Sequence, residues 1–438
     1  PKPRVLVLSM EAPRMPGSGG EVRSWFFAKA LADSCELTLV SLGGFGGGDQ
    51  TLPGLTERCV RVLAPEPTER EKDPGRPQGR TAWTRALGAL LLPWRGGWQR
   101  FLEYHLQYRR AGQAPGAATE RQPWTRRLLG LAFRLEYHFV AHWIALPPTT
   151  VVLFRRHFEV LRPQLEALAS SGAEFDWIWY EHSLMHPFAE ETAALFPRAA
   201  LACNAHNVES LLHARIADAA AEPWERRYAT AQTRLLAAME KRAFTNCRLV
   251  VLCSEEDAVA ARRLAPEVPG LVIGNGVDTS YFQRRPDRKR APEPTILFTG
   301  TFGYGPNREG LAWFVREVWP LVLRELPAAR FVAAGRGAAE AVDSLGADGL
   351  SIVALSDPKD MRPAFEEAWV VAVPLLTGGG TRLKILEAMA MECPFVSTPL
   401  GAEGIPLEPG RHGLLADAPE AFAKALLALL GDEARRER

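Results

Sequence analysis

Short apolar runs alternate with longer segments of helical periodicity along most of the chain. Residues 5–8 and 37–42 flank a helix-like segment at 21–32, and the runs at 176–180, 200–204 and 249–253 continue the series. Runs this short and this continuously apolar predict strands buried on both faces of a parallel sheet. A second series starts at 296–300 and continues through 330–335 and 370–374, with helical patterns between, as βαβ units require. Between the two series, the stretch 275–294 is polar and proline-bounded and includes Arg284, Arg285, Pro286, Arg288, Lys289 and Arg290. Such a composition predicts a domain boundary. The expected organisation is therefore an α/β domain over 1–274, a linker over 275–294 and a second α/β domain over 295–438, each doubly wound. The crevice at the strand ends is the default ligand site.

Residues 76–163 break the alternation. They hold fourteen arginines, no lysine and four acidic residues, a local charge of +10 in a chain whose net charge is +1. Five of the twelve tryptophans lie here: Trp83, Trp94, Trp98, Trp124 and Trp143. Leu87, Leu90, Leu91 and Trp94 keep helical spacing, as do Leu128, Leu131, Leu135 and Phe139. Two readings fit a basic helical insertion of this kind. Its apolar stripe packs on the sheet domain with the arginines in water, or the arginines and aromatics make a peripheral contact with an anionic membrane.

Composition narrows the class. Hydrophobic residues are 47% and charged residues 24%, values of a packed globular protein rather than a disordered or fibrous one. With 52 basic against 51 acidic residues there is no global reason to expect a nucleic-acid partner. The six cysteines form no C-x-x-C pair, so a zinc ribbon or disulfide framework is not indicated, and a reducing, cytoplasmic setting is expected. The apolar run at 5–8 is too short for a signal peptide, and no stretch of about 20 uncharged apolar residues is present.

Two glycine-rich turns can carry chemistry. Pro16-Gly17-Ser18-Gly19-Gly20 follows the first strand and feeds a helix, with Arg23 one turn on. Backbone N–H groups there can face an anion or simply close a tight turn. The stronger signal is Thr377-Gly378-Gly379-Gly380-Thr381-Arg382-Leu383-Lys384-Ile385-Leu386-Glu387-Ala388-Met389-Ala390. Three glycines let the backbone approach a ligand, Thr381 can cap, and the helix start concentrates unpaired donors suited to a diphosphate. Arg382 and Lys384 put positive charge where the helix dipole disfavours it unless an anion binds. Glu387 lies one to two turns along, where a carboxylate can accept from the two hydroxyls of a ribose or remain an ordinary solvated glutamate. His182 and His186 stand four apart, but no third metal ligand at diagnostic spacing accompanies them, so no metal is expected.

The run from Gly378 to Thr398 resembles the donor-site signature of GT-B glycosyltransferases, in particular the retaining family 4, the glycosyl transferases group 1. Four further stretches match in order: Ala205-His206-Asn207-Val208-Glu209, Val251-Leu252-Cys253-Ser254-Glu255-Glu256-Asp257, Ile273-Gly274-Asn275-Gly276-Val277-Asp278, and Phe298-Thr299-Gly300-Thr301-Phe302-Gly303-Tyr304 with Asn307. The resemblance implies two Rossmann-like domains facing a central cleft and transfer of a sugar from a UDP- or GDP-type nucleotide sugar. It implies a carbohydrate or lipid-linked acceptor, retention without obligatory metal, no cofactor beyond the nucleotide sugar, and work at the inner membrane face.

Residue by residue, the resemblance gives His206 and Glu387 as catalytic, with Glu387 also on the ribose. The diphosphate would be held by Gly19, Gly20, Arg23, Gly300, Gly303, Arg336, Gly378, Gly379, Gly380, Thr381, Arg382 and Lys384. Glu181, His182 and Asn207 would line the acceptor side. Many relatives carry a second glutamate where this chain has Gly379, which leaves open a non-catalytic scaffold of the same fold, and a sugar-nucleotide epimerase is a further alternative. Relatives also continue through helices beyond the point where this sequence ends.

Overall fold

The computed structural model describes residues 1–15, 17, 19–43, 55–64, 149–220, 223–346, 351–378 and 382–437. These divide into two units, one ending at Ile273 and the other beginning at Gly274.

The first unit is built from β1 (Arg4–Ser9), α1 (Gly19–Ser34), β2 (Glu36–Ser41), β3 (Arg61–Leu63), α2 (Thr149–Ser170), β4 (Trp177–Glu181), α3 (His186–Leu195), β5 (Ala200–Asn204), α4 (Glu209–Ala219), α5 (Pro223–Asn246), β6 (Leu249–Leu252), α6 (Glu255–Leu264) and β7 (Gly270–Val272). The strands form one sheet in the order β3-β2-β1-β4-β5-β6-β7. Every pairing in it is parallel.

Both faces of this sheet are covered, which is why its strands read as unbroken apolar runs rather than alternating ones. Leu6, Leu8, Ile178, Tyr180, Cys203, Val250 and Leu252 point to one side, where they meet Phe158, Leu161 and Leu165 of α2 and Phe188 of α3. Val5, Val7, Leu37, Leu39, Trp179, Ala202 and Val251 point to the other, against Ala28 and Ala32 of α1. Burying a side chain of Leu or Phe size stabilises by about 1.5–3 kcal/mol each, so the period-two alternation of strand side chains fixes both layers at once.

Residues 149–163, read from sequence with the basic insertion, are the first part of α2. Val151, Phe158 and Leu161 keep helical spacing and lie in the core of this unit. Residues 76–148, including all five tryptophans of that stretch, lie outside the described residues.

The second unit runs β8 (Thr295–Thr299), α7 (Gly305–Trp313), α8 (Trp319–Glu325), β9 (Arg330–Gly335), α9 (Ala338–Asp343), β10 (Ile352–Ser356), α10 (Arg362–Glu367), β11 (Val370–Val373), α11 (Leu383–Ala390), β12 (Phe395–Ser397), β13 (Leu414–Leu415) and α12 (Pro419–Leu430). Its sheet has the order β10-β9-β8-β11-β12-β13, again parallel throughout. The segment before β8 is anchored to this unit. Phe282 packs edge-on against Phe365, and Arg285 grips Glu366 in a two-pronged ion pair, Nε to Oε1 at 2.7 Å and Nη2 to Oε2 at 2.6 Å.

In each sheet the strand order reverses once, between β1 and β4 and between β8 and β11. Loops leaving the carboxyl ends of such neighbouring strands diverge to opposite faces and open a crevice. Gly335, at the end of β9, shows how tightly the second reversal is packed. Its φ is +133°, and a Cβ there would stand 2.1 Å from the Gly300 carbonyl oxygen. Gly335→Ala is therefore expected to destabilise the second unit by about 3 kcal/mol or more, seen as a lower urea midpoint in an unfolding curve. A midpoint within error of the parent would refute it.

Candidate functional site

At the reversal in the first unit, β4 delivers Glu181 and His182, β5 delivers Asn204 and His206, and α1 brings Gly20, Arg23 and Ser24. Glu181 is 1% exposed. Its Oε1 accepts from Trp179 Nε1 (2.6 Å), and its Oε2 accepts from Ser24 Oγ (3.0 Å), Asn204 Nδ2 (2.8 Å) and His206 Nε2 (2.8 Å). Burial pushes this carboxyl up, but the His206 bond and charge, with the Trp179 and Ser24 donors, win and hold it below its ordinary range. An ionised carboxylate only accepts, so His206 carries its proton on Nε2 and turns Nδ1 the other way. On that side lies Gly20, where a Cβ would stand 3.3 Å from Nδ1. A glycine at this first turn of α1 leaves the imidazole edge accessible to a ligand.

His182 stacks obliquely on His206, with ring centroids 4.9 Å apart. Burial, reinforced by His206 and opposed by Glu181, drops its pKa to about 3, so it stays neutral. Its φ of +85° is rare for a residue with a Cβ, a strain of about 1–3 kcal/mol that surrounding contacts must hold. It precedes the short turn Ser183–Met185, whereas His186 opens α3. The two histidines therefore do not share a helix face. No group of three or more metal-ligating side chains occurs among the described residues.

Of the remaining first-unit candidates, Gly19 and Gly20 begin α1. The Arg23 guanidinium is turned inward: Nε and Nη2 donate to Asn204 Oδ1 (3.1 and 2.9 Å) and Nη1 to the Ile273 carbonyl (3.0 Å). Asn207 Nδ2 donates to Glu209 Oε1 at 3.1 Å.

At the reversal in the second unit, the turn after β8 meets the start of α11. Gly300 packs under Asn307, whose Nδ2 donates to the Thr301 carbonyl (3.0 Å). Lys384 Nζ donates to Asn307 Oδ1 (2.8 Å) and lies 4.6 Å from the centroid of the Phe298 ring. The sequence reading left the positive charge on this first helical turn without compensation, and the side-chain oxygen and the ring face supply part of it. Burial, with Arg382 adding to it and Glu387 opposing it, lowers the Lys384 pKa to about 7. Burial raises the Glu387 carboxyl to about 7 while Lys384 pulls it down. Both thus sit near neutrality, where a bound anion or hydroxyl pair readily shifts them.

The Arg382 side chain is buried, and its Nη2 occupies space 2.8 Å from where a Cβ on Gly378 would stand. Gly378 has φ +124°, a backbone conformation that favours glycine. The N-cap position of α11 is Arg382, one residue beyond the Thr381 expected from sequence, and its side chain makes no capping bond. Gly303 has open space where a Cβ would go, and Arg336 is exposed, its carbonyl accepting from Phe302 N at 2.8 Å. Gly379, Gly380 and Thr381 lie outside the described residues.

The structure thus gathers Glu181, His182, His206 and Gly20 in one unit, and Gly300, Gly378, Arg382, Lys384 and Glu387 in the other. Sequence reasoning missed Ser24, which joins Glu181, and Glu309, which accepts from the Thr377 hydroxyl beside the glycine turn. It also missed Glu240, from the last third of α5. No local pattern marks these three, because each contact spans tens to hundreds of residues.

Residues 293–432 match the family model of the glycosyl transferases group 1. A curated protein of Klebsiella pneumoniae, described as an uncharacterized 44.6 kDa protein in a cps region, is 27% identical over 139 residues, which is 30% of this chain and 36% of that protein. Among solved structures, the sucrose-phosphate synthase of Thermosynechococcus elongatus is similar over 99% of this chain and 91% of its own, at a TM-score of 0.61 and 14% identity. Anabaena HepE, solved with UDP and glucose, aligns over 99% and 92%, at a TM-score of 0.57 and 13% identity. Residues 293–432 are thus similar to the glycosyl transferases group 1, and the two Rossmann-like units share the GT-B fold of these solved structures.

Proposed function

We propose that this protein moves a sugar from a nucleotide-diphosphate sugar to a carbohydrate or lipid-linked acceptor, with retention and without an obligatory metal. The observation that carries the reading is the start of α11, where Arg382 lies beside Gly378, Lys384 reaches Asn307 beside Gly300, and Glu387 follows on the same helix. Backbone donors and two cations suit a diphosphate, and a half-buried carboxylate one turn on suits a ribose diol. The UDP and glucose held by the Anabaena neighbour make UDP-sugars the first donors to try.

In the reaction, the bond from the sugar's anomeric carbon to the phosphate oxygen breaks and one to the acceptor oxygen forms. The acceptor's proton passes to the departing phosphate oxygen. Lys384 and Arg382 stabilise the charge that grows on that phosphate. Their contacts strengthen as the bond breaks, so they lower the barrier rather than merely tighten binding. His206, with Nε2 fixed by Glu181, offers Nδ1 to a sugar hydroxyl and orients the ring. Glu181, His182 and Asn207 belong to the acceptor side.

A role in surface polysaccharide or glycolipid synthesis at the cytoplasmic membrane face is the setting we attach to this chemistry. No helix among the described residues is long and apolar enough to cross a membrane. Incubating the protein with a panel of nucleotide sugars should release nucleoside diphosphate, faster when the right acceptor is present. The absence of both nucleoside diphosphate release and thermal stabilisation by every nucleoside diphosphate tried would refute the proposal.

A further inference from the structure

The two loops that carry His182 and His206 are tied together by one side chain from a third element. Glu240 lies in the last third of α5 and is fully buried. Its Oε1 accepts from Ser183 Oγ (3.0 Å) and Glu209 N (2.6 Å), and its Oε2 from Ser210 N (3.0 Å) and Ser210 Oγ (2.6 Å). Ser183 directly follows His182. Glu209 and Ser210 open α4, three and four residues after His206.

A helix start needs its first N–H groups satisfied, and Val208 at the N-cap has no side chain able to do so. Glu240 takes that role from another helix. The same carboxylate holds the residue after a strained backbone, for His182 keeps its φ of +85° only while its surroundings enforce it. The α4 start reaches back as well: the Glu209 carboxylate accepts from Asn207 and stands 3.6 Å from His182 Nε2.

We propose that Glu240 is a positioning residue that sets the placement of His182 and His206 by clamping the loops after β4 and β5 to a common carboxylate. The effect on turnover rests on the glycosyl-transfer reading above, while the effect on the imidazoles does not. Glu240→Gln keeps the shape but turns an NH2 group against donors. In the full chain with labelled histidines, the imidazole signals of His182 and His206 are expected to shift or broaden, with those of His157 and His412 unmoved. If sugar transfer is being measured, kcat should fall about 10- to 100-fold with KM for the nucleotide sugar within about threefold, the pattern of misplaced rather than missing groups.

Should Glu240→Gln fail to fold, Ser183→Ala and Ser210→Ala each remove one hydroxyl donor. The first is expected to move the His182 signal and the second the His206 signal. A folded Glu240→Gln protein with both signals unchanged overturns the proposal, as does a serine pair that moves neither. A parent protein inert toward every nucleotide sugar would count against the transferase reading alone, since the imidazole signals still decide the role of Glu240.

Discussion

Glu387→Ala is expected to lower kcat/KM for the nucleotide sugar by about 10²–10³-fold, with Glu387→Gln losing about tenfold. The carboxylate would accept two hydrogen bonds from the ribose, and hydrogen bonds to a charged group contribute about 1.5–3 kcal/mol each. Removing it also strips Lys384 of the neighbour that holds its pKa up, while burial and Arg382 continue to press it down. At neutral pH a smaller fraction of Lys384 would then be charged to meet the diphosphate. Glutamine keeps one acceptor and the packing, hence the milder loss.

The pH dependence follows from the same pair. A bound diphosphate raises the Lys384 pKa above its free value of about 7, so its contribution to affinity is complete below that value and is lost as pH rises through the bound one. In the parent, ionisation of Glu387, also near 7, strengthens the ribose contact over the same range and opposes this loss; in Glu387→Ala, where only Lys384 titrates, nucleoside diphosphate affinity should decline as pH rises, beginning below about pH 7. Initial rates and calorimetric titrations between pH 6 and 9 check both. A loss below fivefold in the alanine variant, or affinity rising with pH in that variant, would sink the assignment.

What the sequence disclosed and what it hid divide along a physical line. The apolar runs at 5–8 and 176–180 read as strands because a parallel strand buried on both faces leaves a mark within a few residues. The glycine turns read equally well: Gly378 holds a positive φ beside the Arg382 guanidinium, a conformation that favours glycine. Glu387 stood out from its place one to two turns into the helix that follows the glycine turn, and that helix is α11.

Ser24, Asn204 and Glu240 were not legible as partners, because nothing near them in sequence announces Glu181 or the α4 start. Their pairing depends on which strands neighbour one another, and the order β1-β4-β5 is a property of the whole chain. The same holds for Arg23. Its place after Gly19 and Gly20 suggested an anion ligand, yet the sheet order puts Asn204 and the Ile273 carbonyl within its reach. Residues 149–163 hold three of the fourteen arginines of the basic stretch, and their apolar stripe packs into the core, the first of the two readings that stretch allowed.

Glu181→Gln should be the most damaging isosteric change in the first unit. Four donors converge on this buried carboxylate, and an amide can accept them at one oxygen only. Its NH2 group would face either Trp179 Nε1 or the trio of Ser24, Asn204 and His206, leaving at least one buried donor unpaired at about 1–3 kcal/mol. The catalytic consequence is larger than that figure suggests. The negative charge is what keeps a His206 proton on Nε2 and turns Nδ1 toward Gly20; a neutral amide lets the ring flip. Loss of such a partner costs about 10- to 100-fold in comparable second contacts, and here the orienting charge is lost along with the bond, so a drop of about 100-fold or more in kcat is expected. Stability supplies an independent check with a defined sign. Because the folded-state pKa lies below the ordinary 4.5, the carboxylate's contribution is in place above that value and fades as pH falls through the depressed one. The parent protein should therefore lose stability across this acid window, and Glu181→Gln should show less of that loss while starting from a lower plateau at neutral pH. A variant that unfolds in acid just as the parent does, with kcat within threefold, would show that Glu181 neither carries the charge nor orients His206.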